Sequence, residues 1–314
     1  MGNATLINNN LKIKKMANCN CDSGLYNLQS GTCIVKPAIT RKFVFVEYFK
    51  ADGTINGIDL SAPFGQTEID ALINQEDKKL RWFMSDTASN FVTERADPNT
   101  ETIDNVNFIT SQGTRTMSAD FLASSTELAK KIDSNNCVEL GVYLIDEDNG
   151  ISGILNRDGF LDPIRLEKNA FGKVVFPTES TIFKVMLSTT WFKSVKDGDL
   201  KVLTFADHQT DMLNKRGLVD VEAKAIEVVD ATSVKVSYNT ADGSAFGSPF
   251  KGLVFGDFVM ENKTAGSSMT VSASVENPDG TYTITFAAAT TGDLAEIKVI
   301  QAGFEFEVAK IVLQ

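Results

Sequence analysis

Asp279-Gly280-Thr281-Tyr282-Thr283-Ile284-Thr285-Phe286 is a turn dipeptide followed by strict alternation of polar and apolar residues. A period of two places Tyr282, Ile284 and Phe286 on one side of an extended backbone, which is the mark of a half-buried strand. The same pattern recurs outward from this stretch. Turn signals stand at 241–244 (Ala-Asp-Gly-Ser), 277–280 (Asn-Pro-Asp-Gly) and 290–293 (Thr-Thr-Gly-Asp). Strands are predicted over 221–229, 233–238, 253–260, 269–275, 281–287, 295–300 and 304–313.

Seven short strands within a hundred residues match the immunoglobulin-like β-sandwich pattern, with a small β-barrel as the alternative. The Cys…Trp…Cys signature of antibody domains is absent from this part, which has neither residue. The composition also shifts at Gly217. From Leu218 to Gln314 there are 13 acidic residues against six lysines and no arginine. The expected organisation is an N-terminal arm (1–40), a β-rich domain (41–217) with one or two flanking helices, and the C-terminal sandwich (218–314).

Before Gly217 the reading is mainly β as well. Residues 41–49 (Arg-Lys-Phe-Val-Phe-Val-Glu-Tyr-Phe) are β-branched or aromatic almost throughout, a strong strand signal. Further strands are predicted at 80–84, 114–122, 137–145, 163–166, 173–177 and 181–192, and Ile-Ser-Gly-Ile-Leu (151–155) follows a turn. Two helices are expected. One covers 66–74, with Thr67 as its cap and Ile69, Leu72 and Ile73 on one face. The other covers 124–133, with Glu127 in its first turn and Leu128 and Ile132 as an i, i+4 pair. Residues 85–113 read as a long polar loop with a turn at Asp97-Pro98-Asn99-Thr100. Such a loop suggests a contact between subunits, because it has no apolar stripe of its own. Trp82 and Trp191 sit in apolar segments and are expected in the core.

Little in the chain does chemistry. Cys19, Cys21 and Cys33 invite a zinc reading, but structural zinc ligands are usually spaced by about two to four residues and the Cys19–Cys21 gap is one. A disulfide among them needs an oxidising setting. The expectation is reduced thiols, with Cys137 buried in a strand. The acidic run 146–150 (Asp-Glu-Asp-Asn-Gly) lacks calcium-loop spacing and reads as a hairpin turn. His208, the single histidine, and Asp211 would share a short helix over 207–217 ended by Gly217. No partner for acid–base work is nominated, so His208 is read as structural. No catalytic, cofactor-binding or metal residue is predicted, and the chain is expected to be no enzyme.

The net charge of −11 argues against a surface that grips nucleic acid, though not against a channel through which DNA passes without binding. No apolar run approaches the roughly 20 residues of a membrane span, and no secretory leader is read at the N-terminus. Residues 1–15 (Met-Gly-Asn-Ala-Thr-Leu-Ile-Asn-Asn-Asn-Leu-Lys-Ile-Lys-Lys) read either as translated upstream DNA, with Met16 the start, or as a disordered arm.

The order of these parts resembles a bacteriophage virion structural protein, a tail tube (major tail) protein with an appended immunoglobulin-like domain. The segments 113–121 (Gly-Thr-Arg-Thr-Met-Ser-Ala-Asp-Phe) and 138–150 (Val-Glu-Leu-Gly-Val-Tyr-Leu-Ile-Asp-Glu-Asp-Asn-Gly) carry the resemblance, which covers most of 17–314. It implies a non-enzymatic, self-assembling subunit with no cofactor. Its partners would be itself, in rings that in this family are hexameric or trimers of two-domain chains, and other virion proteins, with DNA in transit. It would be assembled in the bacterial host cytoplasm and located in the virion. A head decoration, fibre or adhesin-type binding module is the alternative.

Overall fold

The computed structural model describes residues 35–122, 124–240, 244, 247–287 and 290–313. The readings at Cys19, Cys21 and Cys33, and of the arm before Val35, lie outside them. The described chain is mainly β, with helices at Gln66–Ile73 and Thr126–Ser134 and one short turn of helix at Phe205–His208.

The first half is layered around one sheet. Strands Thr40–Glu47 and Leu140–Asp146 pair antiparallel at its centre, with Phe43 opposite Leu144 and Phe45 opposite Val142. Both strands are buried on both faces, which is why 41–49 reads as a nearly unbroken apolar run rather than an alternating one. Phe43, Val142 and Leu144 face a second, four-stranded sheet. That sheet runs in the order Phe171–Val175, Lys184–Thr190, Arg115–Phe121, Ala88–Arg95. Met117, Ala119, Phe121, Val185 and Leu187 supply its inner face. Val44, Val46, Tyr143 and Ile145 point the other way, onto Ile69 and Ile73 of the first helix, Trp82 and Met212. Each such side chain contributes about 1.5–3 kcal/mol by leaving water.

The helices close these two cores. Ser125 caps Thr126–Ser134 by accepting from the Glu127 N–H (3.3 Å), and Ala129 and Ile132 are buried beneath it. Leu128 packs against the same core. The first helix is capped at Gly65 rather than Thr67. The Glu68 carboxylate reaches back to the Gly65 N–H at 2.9 Å, so the capping contact comes from the helix's own first turn.

Four further expectations fail in this half. Cys137 is exposed in a 3₁₀ turn (Asn135–Cys137), because the helix end uses these residues and strand pairing begins at Leu140. The 80–84 strand shrinks to Phe83–Met84. The 207–217 helix does not form; Phe205–His208 ends at Gln209, whose φ of 52° is left-handed. Residues 85–113 are no loop, as described below.

In the second half two sheets enclose a separate core running from Val221 to Leu313. One contains Val271–Glu276, Thr281–Phe286, Ser233–Thr240 and Val219–Asp230 in that order. The other contains Ser267–Met269, Phe258–Asn262, Leu294–Val299 and Ala309–Val312. In chain order these are the D-E-B-A and C′-C-F-G sheets of an immunoglobulin-type sandwich. Tyr282, Ile284 and Phe286 are buried as their alternation requires. Gly280 takes φ +79° in the turn before them, and Thr281 donates to the Asp279 carboxylate at 3.1 Å. The segment 304–313 is two strands, not one. Phe304–Phe306 pairs parallel with the start of Val219–Asp230, and Ala309–Val312 crosses to the other sheet. Residues 253–257 form coil and a 3₁₀ turn ahead of the strand predicted there. The two halves meet through ion pairs: Glu305 with Arg81 (2.5 Å) and Lys78 (2.6 Å), and Lys131 with Asp220.

Candidate interaction surface

The segment expected as a polar loop is a β-ribbon. Strands Asn99–Ile103 and Val106–Ser111 pair antiparallel, with Ile103 opposite Val106 and Glu101 opposite Phe108. Asp104 (φ 52°) and Asn105 (φ 64°) are both left-handed, as a two-residue type I′ connection requires. Cross-strand hydrogen bonds stiffen it: Asn99 Nδ2 to Ser111 Oγ at 2.9 Å, and Thr102 Oγ1 to Asn107 Oδ1 at 2.5 Å.

The register sorts the side chains into two faces. Ile103, Val106, Phe108 and Glu101 share one. Thr100, Thr102, Asn107 and Ile109 share the other. Every residue of both strands is exposed, Phe108 at 51 % and Ile109 at 66 %. Residues 96–113 contain Asp97, Glu101 and Asp104 and no basic residue. The ribbon is therefore acidic, with an apolar face that nothing in the described chain covers.

Its root is rigid. Ala88–Arg95 leads into the ribbon and Arg115–Phe121 leads out, with Arg95 paired opposite Arg115. Two adjacent guanidinium groups would repel, and Asp197 answers both. It accepts from Arg95 Nη2 at 2.8 Å and from Arg115 Nη2 at 2.9 Å. These hydrogen bonds, Arg95's foremost, hold the Asp197 carboxyl below the ordinary carboxylate range. Arg95 also donates to the carbonyls of Gly113 (2.8 Å) and Val195 (2.9 Å). Arg115 lies over the Trp191 ring, 4.8 Å from its centroid. Gly113 is required by close approach: a Cβ there would stand 1.8 Å from the Ala96 carbonyl oxygen.

The remaining candidates are structural. His208 is buried and bonded on both ring nitrogens. Nε2 lies 2.9 Å from the Asn149 carbonyl, and Nδ1 accepts from the Thr210 N–H at 3.1 Å. Burial pushes its pKa below 6.5. Asp211 bonds Asn214 instead. The 146–150 run is a hairpin turn: the Asp146 carboxylate accepts from the N–H groups of Asp148 (3.1 Å) and Gly150 (2.6 Å). Among the described residues no group of three or more His, Cys, Asp or Glu is placed to hold a metal. Trp82 and Trp191 are each 2 % exposed, in the core.

Sequence reasoning missed the ribbon, although a signal was present. Thr100, Thr102, Val106, Phe108 and Thr110 are β-branched or aromatic at period two around Asp104-Asn105. The turn lacks the glycine that usually announces a tight hairpin.

No protein-family model matches the chain. A search of curated proteins finds no match to it either.

Proposed function

We propose that this chain is a non-enzymatic virion structural subunit that self-assembles into stacked rings, forming a tail tube or neck channel through which DNA passes. The observation that carries the proposal is the Asn99–Ser111 ribbon, uncovered along its whole length yet held on a clamped root. A two-stranded ribbon is marginal alone in water. One that keeps an apolar face exposed on a rigid base is suited to being covered by another molecule. A second copy is the partner that the tail-tube resemblance implies. The immunoglobulin-type half has a core of its own and suits a decorating domain outside the ring. The chain's net charge of −11 favours passage of DNA over adhesion.

Sedimentation velocity over a wide concentration range tests the reading. Species well above the 34.2 kDa subunit, growing with concentration, are expected. A monomer at every concentration would overturn it.

A further inference from the structure

If the chain assembles through its ribbon, the ribbon needs a receptor, and the structure holds a second uncovered apolar surface. Strand Phe171–Val175 is the outer strand of the four-stranded sheet; the second helix covers it at Gly172, whose N–H donates to the Asp133 carboxylate at 2.8 Å, and Phe171 and Lys173 stay exposed. The turn joining it to Lys184–Thr190 carries Phe176, 70 % exposed, and Ile182, 63 % exposed. Thr178 and Thr181 close this turn through backbone and hydroxyl hydrogen bonds, so its two apolar side chains stand on an ordered base.

The two surfaces lie at opposite ends of one sheet. In the pairing of Arg115–Phe121 with Lys184–Thr190, Thr116 faces Thr190 beside the ribbon root, and Phe121 faces Val185 beside the Phe176 turn. Five strand steps separate these ends, about 17 Å at roughly 3.4 Å per residue. The ribbon leaves from one end while the turn closes the other, so the two are placed to meet between copies rather than within one.

Their charges are complementary. The ribbon brings Glu101 and Asp104 and no cation. The edge strand presents Lys173, which is exposed and makes no ion pair among the described residues. The adjoining helix adds Lys130, bonded to Glu127 at 3.2 Å and otherwise in water. Glu179 is the sole carboxylate between Phe171 and Phe183.

We infer that the ribbon of one copy docks on the Phe171–Val175 edge and Phe176 turn of a second copy. Its Ile103–Val106–Phe108 face covers Phe176 and Ile182, and its carboxylates meet Lys173. The inference rests on the self-assembly reading and deepens it. Donor and receptor are different surfaces, so the contact is heterologous. Such contacts propagate from copy to copy, closing into a ring where the rotation allows.

A mixing experiment on the full chain tests this. Phe108→Asp disables the donor and Phe176→Asp disables the receptor. Both side chains are exposed, so each variant should keep the wild-type thermal transition by tryptophan fluorescence; a variant that loses it is replaced by the serine substitution. Sedimentation velocity should show each variant alone as a monomer. Their equimolar mixture should give a 1:1 dimer and nothing larger, because one intact donor meets one intact receptor and both free ends are dead. Lys173→Glu should weaken assembly at least tenfold, and adding Glu101→Lys should restore most of it. If Phe108→Asp fails to assemble while Phe176→Asp assembles normally, the ribbon remains the assembly element and the assigned receptor is wrong. Two monomers that give no dimer on mixing also overturn it. If Phe108→Asp assembles normally, the chain self-assembles through another surface and the inference alone is overturned; a wild-type chain that stays monomeric at every concentration overturns the self-assembly reading beneath it.

Discussion

Removing the ribbon should abolish assembly and leave the fold nearly as stable as before. The variant replaces residues 98–111 by Asn-Gly, keeping Arg95, Gly113, Arg115 and Asp197. Stability has little reason to change, because every residue of the two strands is exposed. Almost no apolar area returns to water. Shortening the connection about threefold favours folding by about 1 kcal/mol of loop-closure entropy. The lost cross-strand hydrogen bonds offset part of that. The net change should stay within about 1 kcal/mol, or about 2–4 °C in Tm for a domain of this size. By contrast, truncating a core ring such as Phe43 should cost about 3–5 kcal/mol. Tryptophan fluorescence is the right assay. Trp82 and Trp191, the chain's two tryptophans, are both buried in the first half and report on it alone. Sedimentation velocity on the same sample reads assembly. A stability loss above about 3 kcal/mol would mean that the ribbon packs on its own domain. Undiminished assembly would remove it from the interface.

Gly113→Ala should cost about 1–3 kcal/mol and weaken assembly, because the new Cβ meets the Ala96 carbonyl at the ribbon root. Gly198→Ala, whose Cβ meets nothing within 4 Å, should stay within about 0.5 kcal/mol, both variants being read by urea titration. His208 should make the first half sensitive to acid. Its folded pKa lies below 6.5, so the unfolded chain binds the proton more readily. Stability is then complete above pH 6.5 and falls as pH drops from 6.5 through the depressed folded value. His208→Gln should flatten that slope in urea midpoints measured from pH 7.5 to 5. A fragment of residues 218–314 should unfold cooperatively by circular dichroism, since its core draws on no residue before Val221. A gradual, featureless melt would show that the fragment depends on the first half.

Much of the fold is legible in the sequence because burial on one or two faces writes itself into the pattern. Thr281–Phe286 alternates and is half-buried. Thr40–Glu47 does not alternate and is buried on both faces. The helix at Thr126–Ser134 announces itself through Glu127 in its first turn and the Leu128–Ile132 pair. What failed depends on partners far away in sequence. Residues 207–217 carry enough helix formers to suggest a helix, but Asn149, some 60 residues earlier, bonds both His208 and the Leu213 N–H and fixes another course. Cys137 has strand-like neighbours and still lies outside the sheet, because register with Thr40–Glu47 starts at Leu140. The ribbon was hidden because strand signals are weak where nothing is buried. Its root was hidden because Arg95, Arg115 and Asp197 converge from three separate segments.

The most direct test of the central claim is electron microscopy of the purified full chain, concentrated and negatively stained, beside the variant lacking residues 98–111. The account predicts rings with a central opening that stack into tubes for the full chain, and single subunits for the variant. Single subunits for both proteins at every concentration would contradict it, as would identical tubes from both.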